Sequence, residues 1–186
     1  MMSQTPAVGS ERRVFLDTEF TDLPWTGRSR LLWVGMVDDG GQQFTAVAAD
    51  ALAVPCSPFV QAQVLPLIDP AVPVLDGSEM ATALAEFLHG ATEVWAWFPT
   101  IADVGTFGFD ATEAAEIWSA YADWDYQLVS SAAGPQASGW PTRCDDLHAL
   151  AIETEVELPH NPRPHHPVHD ARWGHQVYMA ARYRGS

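Results

Sequence analysis

Hydrophobic and polar positions follow two periods along this chain, and the changes of period mark its elements. Residues 14–20, Val14-Phe15-Leu16-Asp17-Thr18-Glu19-Phe20, run apolar and then carry two acids two positions apart, the pattern of a strand with one charged end. Thr21 to Ser29, with Pro24 and Gly27, reads as a loop. Arg30 to Val37, rich in Leu31, Leu32, Trp33 and Val34, predicts a second strand, and Gln42 to Val47 a third. Asp38-Asp39-Gly40-Gly41 between them predicts a hairpin turn. A proline-broken stretch, 48–73, follows, with a short helix expected around Pro58 to Leu65. Then the period becomes helical: Met80, Leu84, Phe87 and Leu88 recur over Glu79 to Gly90, with Ser78 as the expected cap. Thr92 to Phe98 predicts a fourth strand, and Pro99 to Phe109 a glycine-punctuated connection. Helices are expected over 112–121, capped by Asp110 or Thr112, and over 123–133, 142–154 and 168–183. A loop at 134–141 and a polar, proline-rich stretch at 155–164 separate the last three.

This order predicts one α/β domain, 12–186, after a tail at 1–11. Its mixed sheet opens on a three-strand meander and is flanked by helices, with the first strand central because it is the most apolar. A hydrophobic content of 47% and a charged content of 18% over 186 residues support a folded core. All nine basic residues are Arg, against 24 acids, for a formal charge of −15. That balance argues against tight nonspecific binding to duplex DNA, although metal ions can still bring a few phosphates to an acidic protein. Cys56 and Cys144 form no paired motif, which speaks against a disulfide framework or thiolate zinc site. No apolar run is long enough for a membrane span, and Met1 to Ser10 has no signal-peptide pattern. A cytoplasmic location is the simplest expectation.

The chemistry concentrates at the two ends. Side chains alternate faces along a strand, so Asp17 and Glu19 point the same way. Neighbouring carboxylates on a buried strand repel each other, and charge without a partner is costly there. A divalent cation relieves both problems, and hard oxygen ligands suit Mg²⁺ or Mn²⁺. A solvated strand with two surface acids is the plainer reading. Near the other end, His165-His166-Pro167-Val168-His169-Asp170 puts a histidine and an acid at the mouth of the last helix. Asp170 serves there equally well as a helix-terminal acid, and His165 as a loop histidine packed on a proline. His165 or His166 with His169 also allows zinc, although nothing completes a tetrahedral set.

Together these residues resemble the motifs of the DEDD 3′-to-5′ exonucleases, in the subclass with histidine in the last motif. Asp17-Thr18-Glu19 is similar to the first motif, and His165 with Asp170 to the third. The chain further resembles the small bacterial and phage exoribonucleases related to the mycobacterial adenylate-trimming ribonuclease. That likeness rests on residues 15–20, Glu93-Val94-Trp95-Ala96-Trp97, Tyr121-Ala122-Asp123-Trp124-Asp125-Tyr126 and Arg143-Cys144-Asp145-Asp146-Leu147. It implies a ribonuclease H-like fold. It also implies two Mg²⁺ or Mn²⁺ ions held by Asp17, Glu19, a middle Asp and Asp170, with His165 as general base. For the middle acid Asp125 is favoured by its aromatic neighbours, with Asp123 and Asp103 as alternatives. In the family the strand like Trp95-Ala96-Trp97 leads almost directly to that acid; here residues 98–121 intervene as an insertion, a possible helical flap over the groove.

The activity implied is release of nucleoside 5′-monophosphates from the 3′ end of single-stranded RNA. It would require a neutral imidazole, so it should climb with pH as histidine loses its proton. Thr18 and Phe20 are expected at the substrate, Phe20 by stacking the terminal base or else in the core. Arg172 and Arg143 are candidates for the next phosphates, or for surface ion pairs. A DNA exonuclease, or an inactive nucleic-acid or protein interaction module on the same scaffold, is the alternative. The resemblance also implies a possible homodimer.

Overall fold

Residues 11–183 are described by a computed structural model; the tail expected at 1–11 lies almost wholly outside them. Strands β1 (Arg13–Phe20), β2 (Leu31–Asp38) and β3 (Gln43–Ala48) form the expected meander. A two-residue β4 (Val74–Leu75), β5 (Glu93–Ala96) and β6 (Asp145–Asp146) complete a six-stranded sheet in the order β4-β3-β2-β1-β5-β6. The β1–β2 and β2–β3 pairs are antiparallel; β3–β4, β1–β5 and β5–β6 are parallel. Helices α1 (Gly77–Leu88), α2 (Ile101–Gly105), α3 (Ala111–Tyr121), α4 (Trp124–Ala133), α5 (Leu147–Glu153) and α6 (Pro167–Arg182) accompany the sheet. This is a mixed α/β arrangement compatible with a ribonuclease H-like fold. No helix among the described residues is long and apolar enough to cross a membrane.

β1 is interior for the reason its composition suggests. Val14 and Leu16 enter one core cluster with Leu84 of α1 and Leu128 and Val129 of α4. Phe15 points the other way, into a second cluster with Leu147 and Leu150 of α5 and Tyr178 of α6. Alternation along one strand thus serves two helical layers. All of β2 is buried too.

Five local expectations change. Asp76, not Ser78, caps α1: its carboxylate accepts from the N–H groups of Ser78 and Glu79, while the Glu79 side chain accepts from the Asp76 N–H. A reciprocal capping box satisfies more end groups than a lone serine. The helix expected over 142–154 begins only at Leu147, because Asp145 and Asp146 pair with Trp95 and Ala96 as an edge strand. The two-residue β4 is too short to show a period. Finally, the glycine-punctuated connection contains α2, opened by a second capping box between Thr100 and Asp103. Around 58–65 the short helix is a π-helical turn, Val60–Val64, followed by a 3-10 turn, Leu65–Leu67.

Candidate active site

Asp17 and Glu19 stand near the carboxyl end of β1, beside Gly35 and Trp33 of β2. Gly35 is what lets a helix reach them. A β-carbon there would lie 2.1 Å from the Val168 nitrogen and 2.2 Å from the Pro167 carbonyl carbon. The first turn of α6 therefore lies directly on the β2 backbone, on the side Asp17 faces. Pro167, which has no N–H to satisfy, begins that turn. One turn on, Asp170 meets the strand acids. One carboxylate oxygen from each of Asp17, Glu19 and Asp170 lies within 4.8 Å of the other two. Asp170 is fixed from behind, accepting from the Asn161 side-chain amide at 2.5 Å and from the His166 N–H at 3.2 Å.

The fourth acid comes from a different layer. Asp125 is in the first turn of α4, whose core partners include Leu16 rather than Phe15. The Thr18 hydroxyl, facing opposite to its two acidic neighbours, donates to Asp125 Oδ1 at 2.5 Å. Acids from two helices thus converge on one strand end, and Asp125 lines the same cavity as the other three.

Among the described residues no arginine lines the cavity to relieve this concentration of charge. Burial, then the charges of Asp125, Asp170 and Glu19, push the Asp17 carboxyl well above the usual carboxylate range. Burial and the charges of Asp125 and Asp170 push Glu19 up to about 8. Asp125 rises to about 6, chiefly through burial, against the lowering effect of its bonds to Thr18. Burial raises Asp170 as well, opposed by its bonds from Asn161 and His166 and by nearby His165. Such a cluster holds protons at neutral pH unless a cation replaces them. Its donors are all carboxylate oxygens, the set that hard divalent cations such as Mg²⁺ and Mn²⁺ prefer. The residues present therefore fit the metal implied by the motifs.

The cavity over the acids encloses about 620 Å³ and is otherwise largely apolar, with Phe20, Phe59, Trp97, Phe107 and Trp173 in its walls. His165 stands at its mouth in a left-handed backbone conformation, φ 66°. Its Nδ1 is 3.8 Å from Glu19 Oε1, and its ring meets Phe59 edge-on at 5.1 Å.

Other expected residues fall elsewhere. Thr18 does line the cavity, but it is buried and its hydroxyl is given to Asp125, so it positions that acid. Asp123 accepts from Gln127 Nε2 at 2.6 Å and lines neither this cavity nor its neighbour. Asp103 is committed to capping α2. Arg172 lies two residues beyond Asp170, more than half a turn around α6, and bonds the Gln43 side chain of β3. Arg143 pairs with Asp145 at 3.2 Å. Neither arginine reaches the cleft. His166 packs its ring on Trp33 and His169, centroids 4.5 Å away in each case. Among the described residues the acid trio, not a histidine set, could hold a metal.

Asn161, Phe59, Phe107 and Trp173 were missed as cleft residues. They sit in irregular stretches or on a helix whose pattern shows no second buried face, so only the tertiary approach reveals them. Compared with known proteins, the chain matches no protein-family model and no curated protein.

Proposed function

We propose that the protein is a metal-dependent 3′-to-5′ exonuclease acting on single-stranded RNA. The observation that carries this reading is the cluster of Asp17, Glu19 and Asp170, with Asp125 and His165 lining the same aromatic-walled cleft and, among the described residues, no arginine there. The motif resemblance supports the same class and the preference for RNA.

Mg²⁺ or Mn²⁺ held by these four acids would supply the Lewis acidity that activates water and stabilises the leaving 3′ oxygen. The protein's own groups do the rest. Asn161 and Thr18 hold Asp170 and Asp125 in place before any ligand arrives. That preorganisation limits the reorganisation needed during reaction. His165 lies between the acids and solvent, its side chain 44% exposed, where it takes the proton of the attacking water and releases it to bulk. Phe20, on the cavity wall, offers its face to the terminal base. The surrounding apolar walls exclude competing water from the phosphodiester. The product is a nucleoside 5′-monophosphate.

The test is a 5′-labelled single-stranded RNA incubated with Mn²⁺, Mg²⁺ or EDTA. A ladder shortening from the 3′ end is expected only with metal, and loss of about a thousandfold or more in Asp17→Ala and Asp125→Ala. A deoxyribo-oligomer of the same sequence reports whether the ribose is read through its 2′-OH. Mn²⁺ binding with no product from RNA or DNA would replace this reading with a binding module on the same scaffold.

A further inference from the structure

Beside the acid cleft lies a second cavity of about 520 Å³. Phe20, Trp97, Phe107, Asp125 and His165 line both. Its far wall is made by residues 98–121, the stretch that interrupts the path from β5 to Asp125, and by Trp25. We propose that this cavity holds the nucleobase next to the 3′-terminal one, gripping it by its faces. The proposal rests on the exonuclease reading and assigns a role to the inserted helices.

Four observations support it. First, the wall is held in place. Trp25 meets Phe107 at 5.1 Å and Phe109 at 5.6 Å, both edge-on, and Tyr121 meets Trp124 edge-on at 5.2 Å. Second, several polar edges that might read a base are already committed. The Trp118 indole N–H donates to the Pro99 carbonyl at 2.7 Å, and that of Trp124 to Ser29 Oγ at 3.3 Å. The Asp103 carboxylate accepts from the Thr100 N–H and hydroxyl, each at 2.7 Å. Phe20, Trp25, Trp97, Phe107 and Tyr121 add aromatic surface to the same cavity, and such surface accepts any base by stacking. Third, Phe107 is 55% exposed although it stands where the two cavities meet. A large aromatic left open between two apolar cavities is expected to contact a ligand that spans them. Fourth, among the described residues no arginine lines either cavity. Retention of the chain behind its last nucleotide therefore falls to base contacts rather than to phosphate contacts.

The full-length protein with Mn²⁺ is given a short RNA and the same RNA with an abasic penultimate residue. In wild type the abasic substitution should lower kcat/KM by about tenfold, mainly through KM. In Trp118→Ala, and in Phe107→Ala at the exposed position, intact and abasic RNAs should be cleaved equally well, the signature of a lost pairwise contact. A binding measurement runs beside this one. In Asp17→Asn protein, 2-aminopurine fluorescence should be quenched at the penultimate position and not four residues upstream. Equal cleavage of the two RNAs by wild type, or a penalty that persists in both variants, overturns the assignment while leaving the exonuclease standing. Release of no nucleotide from either RNA by wild type removes the exonuclease reading, and this one with it.

Discussion

The two ends of β1 handle charge in opposite ways. At the amino end, Arg12 pairs with Asp38 at 3.0 Å, and Arg13 with Glu93 at 3.1 Å and Asp39 at 3.7 Å. Arg12 also donates to the carbonyls of Phe87 and His89, tying the strand to the end of α1. At the carboxyl end, six residues away from Arg13, Glu19 lines one cavity with Asp17, Asp125 and Asp170, and no arginine among the described residues lines it. The same strand, in the same sheet, has its acids neutralised at one end and crowded at the other. The first arrangement stabilises the fold. The second opposes it in the absence of a cation, and a destabilising cluster in a cleft is a mark of function.

Substitutions at the two ends should separate these roles. The largest effect is expected where α6 meets the sheet. Gly35→Ala drives a methyl into the Pro167–Val168 backbone, which must move away and take Asp170 with it. Unfolding measured by calorimetry should show a loss of about 3 kcal/mol or more. An unchanged melting temperature would mean that α6 does not rest on β2 as described.

Next in size is the amino end. Asp38→Asn removes the carboxylate that Arg12 and the Gln42 N–H both share. It should cost about 1–3 kcal/mol in denaturant unfolding, since the buried partners are left incompletely satisfied. Asp17→Asn at the other end should do the reverse. In metal-free protein at pH 8 it removes repulsion and leaves stability equal or higher by about 1 kcal/mol. It should also abolish nucleotide release. If Asp17→Asn destabilised as much as Asp38→Asn, the contrast between the ends would fail.

Apart from substitutions, the contrast predicts a pH dependence of the metal-free protein. Glu19 rises from the usual 4.5 to about 8, and Asp125 from 3.8 to about 6. A carboxyl with a raised folded pKa binds its proton more tightly in the folded chain. The stability it contributes is complete below the unfolded value and is lost as pH climbs through the folded one. Metal-free protein should therefore lose stability between about pH 4.5 and pH 8, by about 2–4 °C in Tm for each kcal/mol. Added Mn²⁺ should raise Tm more at pH 8 than at pH 5, because it binds the deprotonated acids. A Tm indifferent to Mn²⁺ at pH 8 would count against a metal site.

Much of this was legible in the chain. The meander, the central position of β1 and the closing helix follow from period and turn chemistry, which are local. Asp17 and Glu19 were readable as a pair because strand geometry alone puts i and i+2 on one side. Asp125 was favoured over Asp103 and Asp123 by its aromatic neighbours, and of the three it alone lines the cavity with Asp17, Glu19 and Asp170. Asp103 closes a capping box and Asp123 binds Gln127, whereas Asp125 faces Thr18 and the cleft.

What the sequence determined by itself is whatever depends on neighbours along the chain: which stretches become strands and helices, and which acids share a strand face. What only the tertiary structure decided is which distant groups meet. Gly35 looks like any strand glycine until α6 lands on it. Asn161 looks like a loop residue until Asp170 turns toward it, and Arg172 looks usable until the helix carries it around to Gln43. The physical reason is that local preference sets backbone conformation, whereas the separation between residues 125 or 161 and residue 170 is set by how whole elements pack. That packing is a property of all the buried faces together, and no single segment encodes it.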